Sequence, residues 1–536
     1  YADVPMSAIW THSRAEGPRP SHIADMRGAA SVAHLYGQNL VAAESLTSSL
    51  APWAHSPKYL QRIIDLAFVN GVNRPVVHTS VHQPRDDKFP GLTLFIFGQY
   101  FNRHDAWAEM AKPWVDYLSR NAFMLQQGRN AADVAYFYGE EAPLTALMET
   151  GQLKDVPRAY AHDFINNDAL FDALSNDGNE LLAKGGARYK VLYLGGSSRK
   201  MTLGTLKRIA ELVEGGATII GMKPEGSPSL AHDAVEYAAL VAKLWSGADE
   251  TPFGKGKVIA SKNVEDALAR AGIRPQFYYT GASSGSSIPF VQRKLADGDS
   301  FFLVNQKDQA ETIEARFRVT GKAPEIWRTE TGKSEAVSYR IENGETIIPL
   351  TLAADESLHI VFRKAAITNA LSIKQPEPSA AAALGGAWGV AFQKDRGAPA
   401  MATLTTLAPL NENANPGIKY FSGIATYSKQ FVPPKNWKVG QPLWIDLGQV
   451  SEMAELFVNG KSAGAVWHAP YKLDIGALTK SGKNMLEVRV ANLWVNRLIG
   501  DAQPDAKPIT WTPMATYGAN AKLRPSGLIG PVRLEY

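Results

Sequence analysis

The chain has 536 residues, 45% of them hydrophobic and 20% charged, which is ordinary globular material for about three or four domains. A net charge of +4 with no long basic run points away from nucleic acid and from an anionic membrane surface, and no apolar run approaches a membrane span. Cys is absent, which excludes disulfides and thiolate metal sites and leaves the compartment open.

The first predicted elements alternate strand and helix. Residues 4–10 read as a short strand, and residues 23–36 carry Ala, Met, Val and Leu at helical spacing. Leu40-Val41-Ala42-Ala43-Glu44 is an apolar run too short for a helix, punctuated by Gly37 and Asn39, so it reads as a buried strand ending at Glu44. Residues 57–68 repeat the helical pattern, and residues 72–78 are another short apolar run. This rhythm predicts a parallel sheet with crossover helices, and a barrel of that type places its chemistry at the C-terminal ends of the strands.

Those ends carry Trp10-Thr11-His12, Glu44-Ser45 and His78-Thr79-Ser80-Val81-His82. Brought together, they make a polar pocket with an aromatic wall. Glu44 reads either as a solvated carboxylate at a strand terminus or as a catalytic group, with Ser45, Thr47 and His78 offering hydrogen bonds to orient it. His78 and His82 have the spacing of a metal pair, but no third ligand of matching type stands nearby, and hydrogen bonds to a substrate hydroxyl suit them better. Residues 89–102 hold Phe95, Phe97, Tyr100 and Phe101, which either roof a cleft or pack in the core. The 12 Trp, 19 Tyr and 20 Phe of the chain suit sugar stacking as well as core packing.

A second unit is expected over residues 132–275. Residues 134–138 and 189–194 read as strands, residues 203–214 as a helix and residues 217–221 as a further strand, a βαβ pattern of flavodoxin-like type. Gly195-Gly196-Ser197-Ser198 has the look of a phosphate cradle but lacks both the dinucleotide fingerprint and the P-loop lysine. Glu140 and Glu141 stand near a strand end, where a helix N-terminus attracts acids through its dipole alone. Residues 276–365 then turn β-rich, with Gly321, Asn343-Gly344 and Asp355 as separators, and read as a small β-sandwich. Residues 366–385, with two prolines and a run of alanines, read as a linker. Residues 386–536 read as a separately folding β-sandwich with Asn459-Gly460 as a hairpin turn.

That last part resembles the jelly-roll, galactose-binding-like domain that closes glycoside hydrolases of family 106, the α-L-rhamnosidases. The resemblance is carried by Tyr420-Phe421-Ser422-Gly423, Leu456-Phe457-Val458-Asn459-Gly460, Asn492-Leu493-Trp494-Val495-Asn496-Arg497 and Pro525-Ser526-Gly527-Leu528. Asp3-Val4-Pro5-Met6 with Trp10, Ala43-Glu44-Ser45-Leu46-Thr47-Ser48, and Gly71-Val72-Asn73-Arg74 with His78 resemble the late strands of the family's (β/α)8 barrel. On this resemblance residues 1–131 supply the sixth, seventh and eighth barrel strands.

The family is understood to invert at the anomeric carbon. Inversion needs a general acid on the leaving oxygen and a general base on a water at the opposite face, their carboxyl groups roughly 6.5–9.5 Å apart. In related barrels the acid follows the fourth strand and the second carboxylate the seventh, so the resemblance gives Glu44 the base role. Trp10, His12, His78 and His82 become substrate-binding candidates, and an apolar contact such as Trp10 suits the C6 methyl of rhamnose. The acid is then expected from a segment outside this chain, in an N-terminal half of the same enzyme of roughly 200 or more residues. Glu140 or Glu141 replaces it only with the second domain over the barrel mouth. The resemblance further implies a calcium ion near the sugar, with ligands mostly outside this chain, and a periplasmic or secreted enzyme acting on a rhamnosylated glycoside or polysaccharide. Two other readings stay open: a non-catalytic carbohydrate-binding assembly, and a hydrolase of another deoxysugar or of a β-galactoside-type substrate.

Overall fold

The computed structural model describes residues 2–97, 101–374 and 381–536. Tyr1, Tyr100 and residues 375–380 of the expected linker lie outside the described residues. The described part is mostly sheet, in several separate sheets, with 20% helix. The chain divides into two compact units, one of residues 1–45, 64–76 and 119–373, the other of residues 46–63, 77–118 and 374–536.

The first unit opens with β1 (Met6–Trp10), α1 (Pro20–Tyr36), β2 (Ala42–Thr47), α2 (Pro57–Val69) and β3 (Arg74–Val77). The strands lie side by side in the order β1-β2-β3. The Ala42 N–H donates to Pro5 O at 2.9 Å and the Arg74 N–H to Val41 O at 3.0 Å, so strand starts meet strand starts and all three run the same way. Helix α1 has proline in its first turn, where no intrahelical N–H is needed. It stops at Gly37, which takes φ 87 and donates its N–H to Ala33 O. The chain passes to the second unit after Ser45 and again after Val76, so the last residues of β2 and β3 and the first half of α2, residues 57–63, belong to that unit.

Next comes a six-stranded sheet in the order 250–253, 256–259, 218–220, 191–194, 134–137, 162–165, parallel except for its outermost hairpin. Strand 134–137 sits between 191–194 and 162–165, so successive connections leave it in opposite directions, the arrangement that opens a ligand crevice in many α/β sheets. Here the loops close it. The N–H groups of Gly195, Ser197 and Ser198 donate to the carbonyls of Phe137, Tyr138 and Gly195, and the Gly196 N–H donates to the Tyr136 hydroxyl. All four amides of the Gly-Gly-Ser-Ser run are engaged within the chain, and a phosphate finds no donor among them. Glu140 accepts the N–H of Thr202 at 2.8 Å and its hydroxyl at 3.0 Å, just before helix Leu203–Gly215. It serves that helix start, while Glu141 is exposed.

Two facing sheets complete the unit: a five-stranded one containing 311–317 and 345–352, and a six-stranded one containing 299–304 and 357–365. Phe301, Phe317, Ile348, Leu350, Ile360 and Phe362 fill the space between them. Asn343 and Gly344 both take positive φ, 50 and 81, as a two-residue hairpin of the twist-matched kind requires.

The second unit has a four-stranded and a six-stranded sheet around Trp388, Tyr427, Ile445, Leu456, Val488 and Leu534. Asn459 and Gly460 form its predicted turn, at φ 53 and 76. Two expectations change here. Ala381–Ala383, read from composition as linker, is an edge strand against Arg533–Glu535. The segment 386–536 also shares its interior with residues 46–63 and 77–118. The Trp494 indole N–H donates to His104 O at 2.8 Å, Tyr517 to Pro52 O at 2.9 Å, Arg524 to Ala54 O at 2.6 Å and Ser56 to Glu452 at 2.6 Å. Cut out alone, the sandwich loses these partners.

Candidate active site

Chemistry collects where β1 and β2 run out toward the start of α1. In a βα unit the helix starts beside the C-terminal end of its preceding strand, so the first turn of α1 and the ends of β1 and β2 share one rim. Trp10 is the last residue of β1 and is half-buried. His12, also half-buried, points Nδ1 back to Trp10 O at 3.1 Å. Arg19 holds its guanidinium 5.2 Å from the Trp10 ring centroid, and the His22 ring lies 6.1 Å from the same ring at a tilt of 49°.

Glu44 stands on the neighbouring strand. The expectation that it ends that strand is corrected: β2 continues to Thr47, and Glu44 is its third residue. What breaks the run is Leu46, at φ 68, a left-handed backbone that leucine adopts only under constraint. The flanking Ala43 and Ser45 are fully buried, whereas Glu44 is half-buried and therefore the group of that stretch that reaches solvent. Ser45 does not orient it. The Ser45 hydroxyl turns inward and donates to Ala43 O at 2.8 Å.

His22 is an electrostatic neighbour of Glu44. Burial, and after it the Arg19 charge, push the His22 imidazole below its ordinary value, while Asp25 and Glu44 act in the opposite direction. At neutral pH His22 is therefore uncharged beside Glu44. Asp25 accepts the Ala8 N–H at 2.8 Å, which ties α1 to β1, and burial raises its carboxyl. Arg19, His22 and Asp25 were missed from the sequence. The signal for Arg19 and His22 was available: in a βα unit the start of the helix lies beside the C-terminal end of the strand before it.

His78 directly follows β3 and is half-buried, with a buried Nδ1 that has no hydrogen-bond partner among the described residues. His82 is exposed. Both fall in the second unit, whereas Trp10, His12 and Glu44 fall in the first. The loop after them is pinned by buried Gln83, which exchanges two 2.8 Å hydrogen bonds with the backbone of Leu92. The aromatic run beyond divides. Phe89 packs with Trp53 and Trp494, and Phe101 lies 5.4 Å from Trp107, whereas Phe95 is 67% exposed. Among the described residues no group of three or more His, Asp or Glu could hold a metal ion.

Residues 1–341 match the sequence profile of glycoside hydrolase family 106, described as alpha-L-rhamnosidase. The chain belongs to this family. A solved rhamnosidase from Novosphingobium sp. PP1Y is 58% identical, with a TM-score of 0.96, over 100% of this chain and 51% of that one. A Formosa agariphila protein named "Putative beta-glucuronidase" is 26% identical over 99% of this chain and 65% of its own length. The family 106 chain thus spans about half of the first relative and 65% of the second. It is of glycosidase type by family, and among its described residues no helix is long and apolar enough to cross a membrane.

Proposed function

We propose that this chain is the base-bearing portion of an inverting α-L-rhamnosidase. The observation that carries the reading is the setting of Glu44: a half-buried carboxylate on β2, just before a left-handed leucine, next to a neutral His22, in a chain of the rhamnosidase family. Glu44 takes a proton from a water as that water attacks the anomeric carbon of an α-L-rhamnoside. The glycosidic oxygen leaves on the opposite face and receives a proton from a carboxylic acid outside this chain. Neutral His22 supplies a ring that neither repels the incoming proton nor neutralises the carboxylate as a cation would. Trp10 and His12 line the sugar side of the rim, Trp10 toward the C6 methyl, while His78 and His82, in the other unit, are separate candidates for binding sugar hydroxyls. Calcium, if the whole enzyme uses it, finds its ligands outside the described residues. The substrate is a terminal α-L-rhamnose on a glycoside or polysaccharide, and the site of action is periplasmic or extracellular.

A substrate panel tests the proposal. With the whole enzyme, p-nitrophenyl α-L-rhamnoside is expected to be hydrolysed, and the β-D-galactoside and β-D-glucuronide to be left essentially untouched, because those rings carry equatorial hydroxyls or a carboxylate where this sugar has an axial hydroxyl and a methyl. Faster release from the β-glucuronide than from the rhamnoside would overturn the substrate assignment.

A further inference from the structure

The first unit contains a second concavity. A cavity of about 790 Å³ opens between one face of α1, the end of α2, strand 162–165 and strand 277–280. Neither Trp10, His12 nor Glu44 lines it. Ile23, Arg27, Ala30 and His34, at the spacing of one helix face, form the α1 side.

The charges around it do not balance. Arg293 is buried and Arg27 half-buried, and desolvation pushes Arg27 down and Arg293 down to about 10. The opposing charge for each of them is the same group, Asp163. That carboxylate is already engaged by His34 Nδ1 at 2.7 Å, the Tyr189 hydroxyl at 2.9 Å and the Asn130 amide at 3.3 Å. Arg293 directs its guanidinium to the carbonyls of Gln127 and Gly128. Arg27 uses Nη2 alone, donating to His162 Nε2 at 2.6 Å and His162 O at 3.2 Å. Burial keeps the His162 imidazole neutral, so this contact supplies no counter-charge. Arg27 is thus a half-buried cation on a cavity wall, with part of its donor fork unused among the described residues. A guanidinium fork matches an oxyanion with two parallel hydrogen bonds. Arg158 adds a second, exposed cation to the lining. The remaining wall suits a hydroxylated ring: Tyr160, Phe164 and Tyr278 offer aromatic surface, and the buried Ser286 hydroxyl has no partner among the described residues. The volume is far above that of a lone inorganic ion and within the range of small-molecule sites.

We propose that this cavity binds an acidic saccharide unit, its oxyanion on Arg27 and its ring between the aromatic walls, as a glycan-holding site separate from the Glu44 rim. A uronate and a sulfate ester present the same chemistry, one oxyanion on a hydroxylated ring. Isothermal titration of the whole enzyme with D-glucuronate, D-glucose 6-sulfate, D-glucose and inorganic sulfate separates the sources. One of the two acidic sugars is expected to bind, and glucose to bind far more weakly. Arg27→Lys is expected to weaken binding about 10- to 100-fold, the worth of a charged hydrogen-bond fork. Arg158→Glu, an exposed change that leaves folding intact, is expected to weaken it as well. Rhamnoside hydrolysis stays unchanged in both variants, so failure here is distinct from failure of the active-site reading. Absence of binding by both acidic sugars at about 10 mM, a free energy too small for a built site, overturns the proposal. Equal binding to both variants, or inorganic sulfate binding as tightly as the sugars, overturns it too.

Discussion

Glu44→Gln in the whole enzyme is expected to lower turnover of an α-L-rhamnoside by about 100- to 10,000-fold, the usual worth of a general base. The amide keeps the size and shape of the carboxylate and cannot accept the proton of the attacking water. Nothing in the local packing gives way, because Glu44 is half-buried and the fixed parts of the strand are Ala43, Ser45 and Leu46, all fully buried. The loss therefore falls on kcat, and rhamnose binding survives. The uncharged state of His22 at neutral pH matters here: a cation in that place would hold the carboxylate in an ion pair and lower its basicity. Glu44→Gln with near-wild-type kcat would remove Glu44 from the mechanism.

Asp105→Asn is expected to stabilise the fold at neutral and mildly alkaline pH by a few kcal/mol, about 1.4 kcal/mol for each unit by which the folded and unfolded pKa values differ over the range titrated. Asp105 is buried, and burial pushes its carboxyl up to about 8, against the opposing help of the Ala106 and Trp107 N–H groups. The folded pKa lies above the ordinary value of 3.8, so the folded state holds a proton that the unfolded state has released. That contribution is fully present below about pH 4 and is lost progressively as pH rises toward 8. Asparagine keeps the shape and does not titrate. Urea unfolding at pH 4 is expected to show little difference between the two proteins, and at pH 8 a clear gain for the variant. A variant less stable than wild type at pH 8 would show that the carboxylate is ionised and well partnered. Two buried histidines act at the other end of the scale. His55, stacked on Tyr59, and His359, against Asn121, are both pushed down to about 3. Their folded values lie below the ordinary 6.5, so their contribution is present above that pH and is lost as pH falls toward 3.

Much of the scaffold was legible because its signals are local. Gly37 as a left-handed helix stop, Asn343-Gly344 and Asn459-Gly460 as turns with two positive φ values, and the short apolar runs of β1 to β3 all state their geometry within a few residues. Glu44 stood out in the sequence because a lone carboxylate interrupts such a run, and the structure places it half-buried on β2. What the sequence concealed was long-range. The inward turn of Ser45 depends on a left-handed Leu46 that no propensity scale assigns to leucine. The engagement of the Gly195–Ser198 amides depends on partners near residue 137, and the loops 46–63 and 77–118 enter the core of a sandwich some 300 or more residues away in sequence.

The configuration of the first sugar released tests the central claim most directly. Proton NMR of whole enzyme acting on an α-L-rhamnoside, read before mutarotation equilibrates the product, is predicted to show β-L-rhamnose first, because a base-activated water displaces the leaving group in one step from the opposite face. First appearance of α-L-rhamnose would contradict the account, since two successive displacements make Glu44 a nucleophile rather than a base.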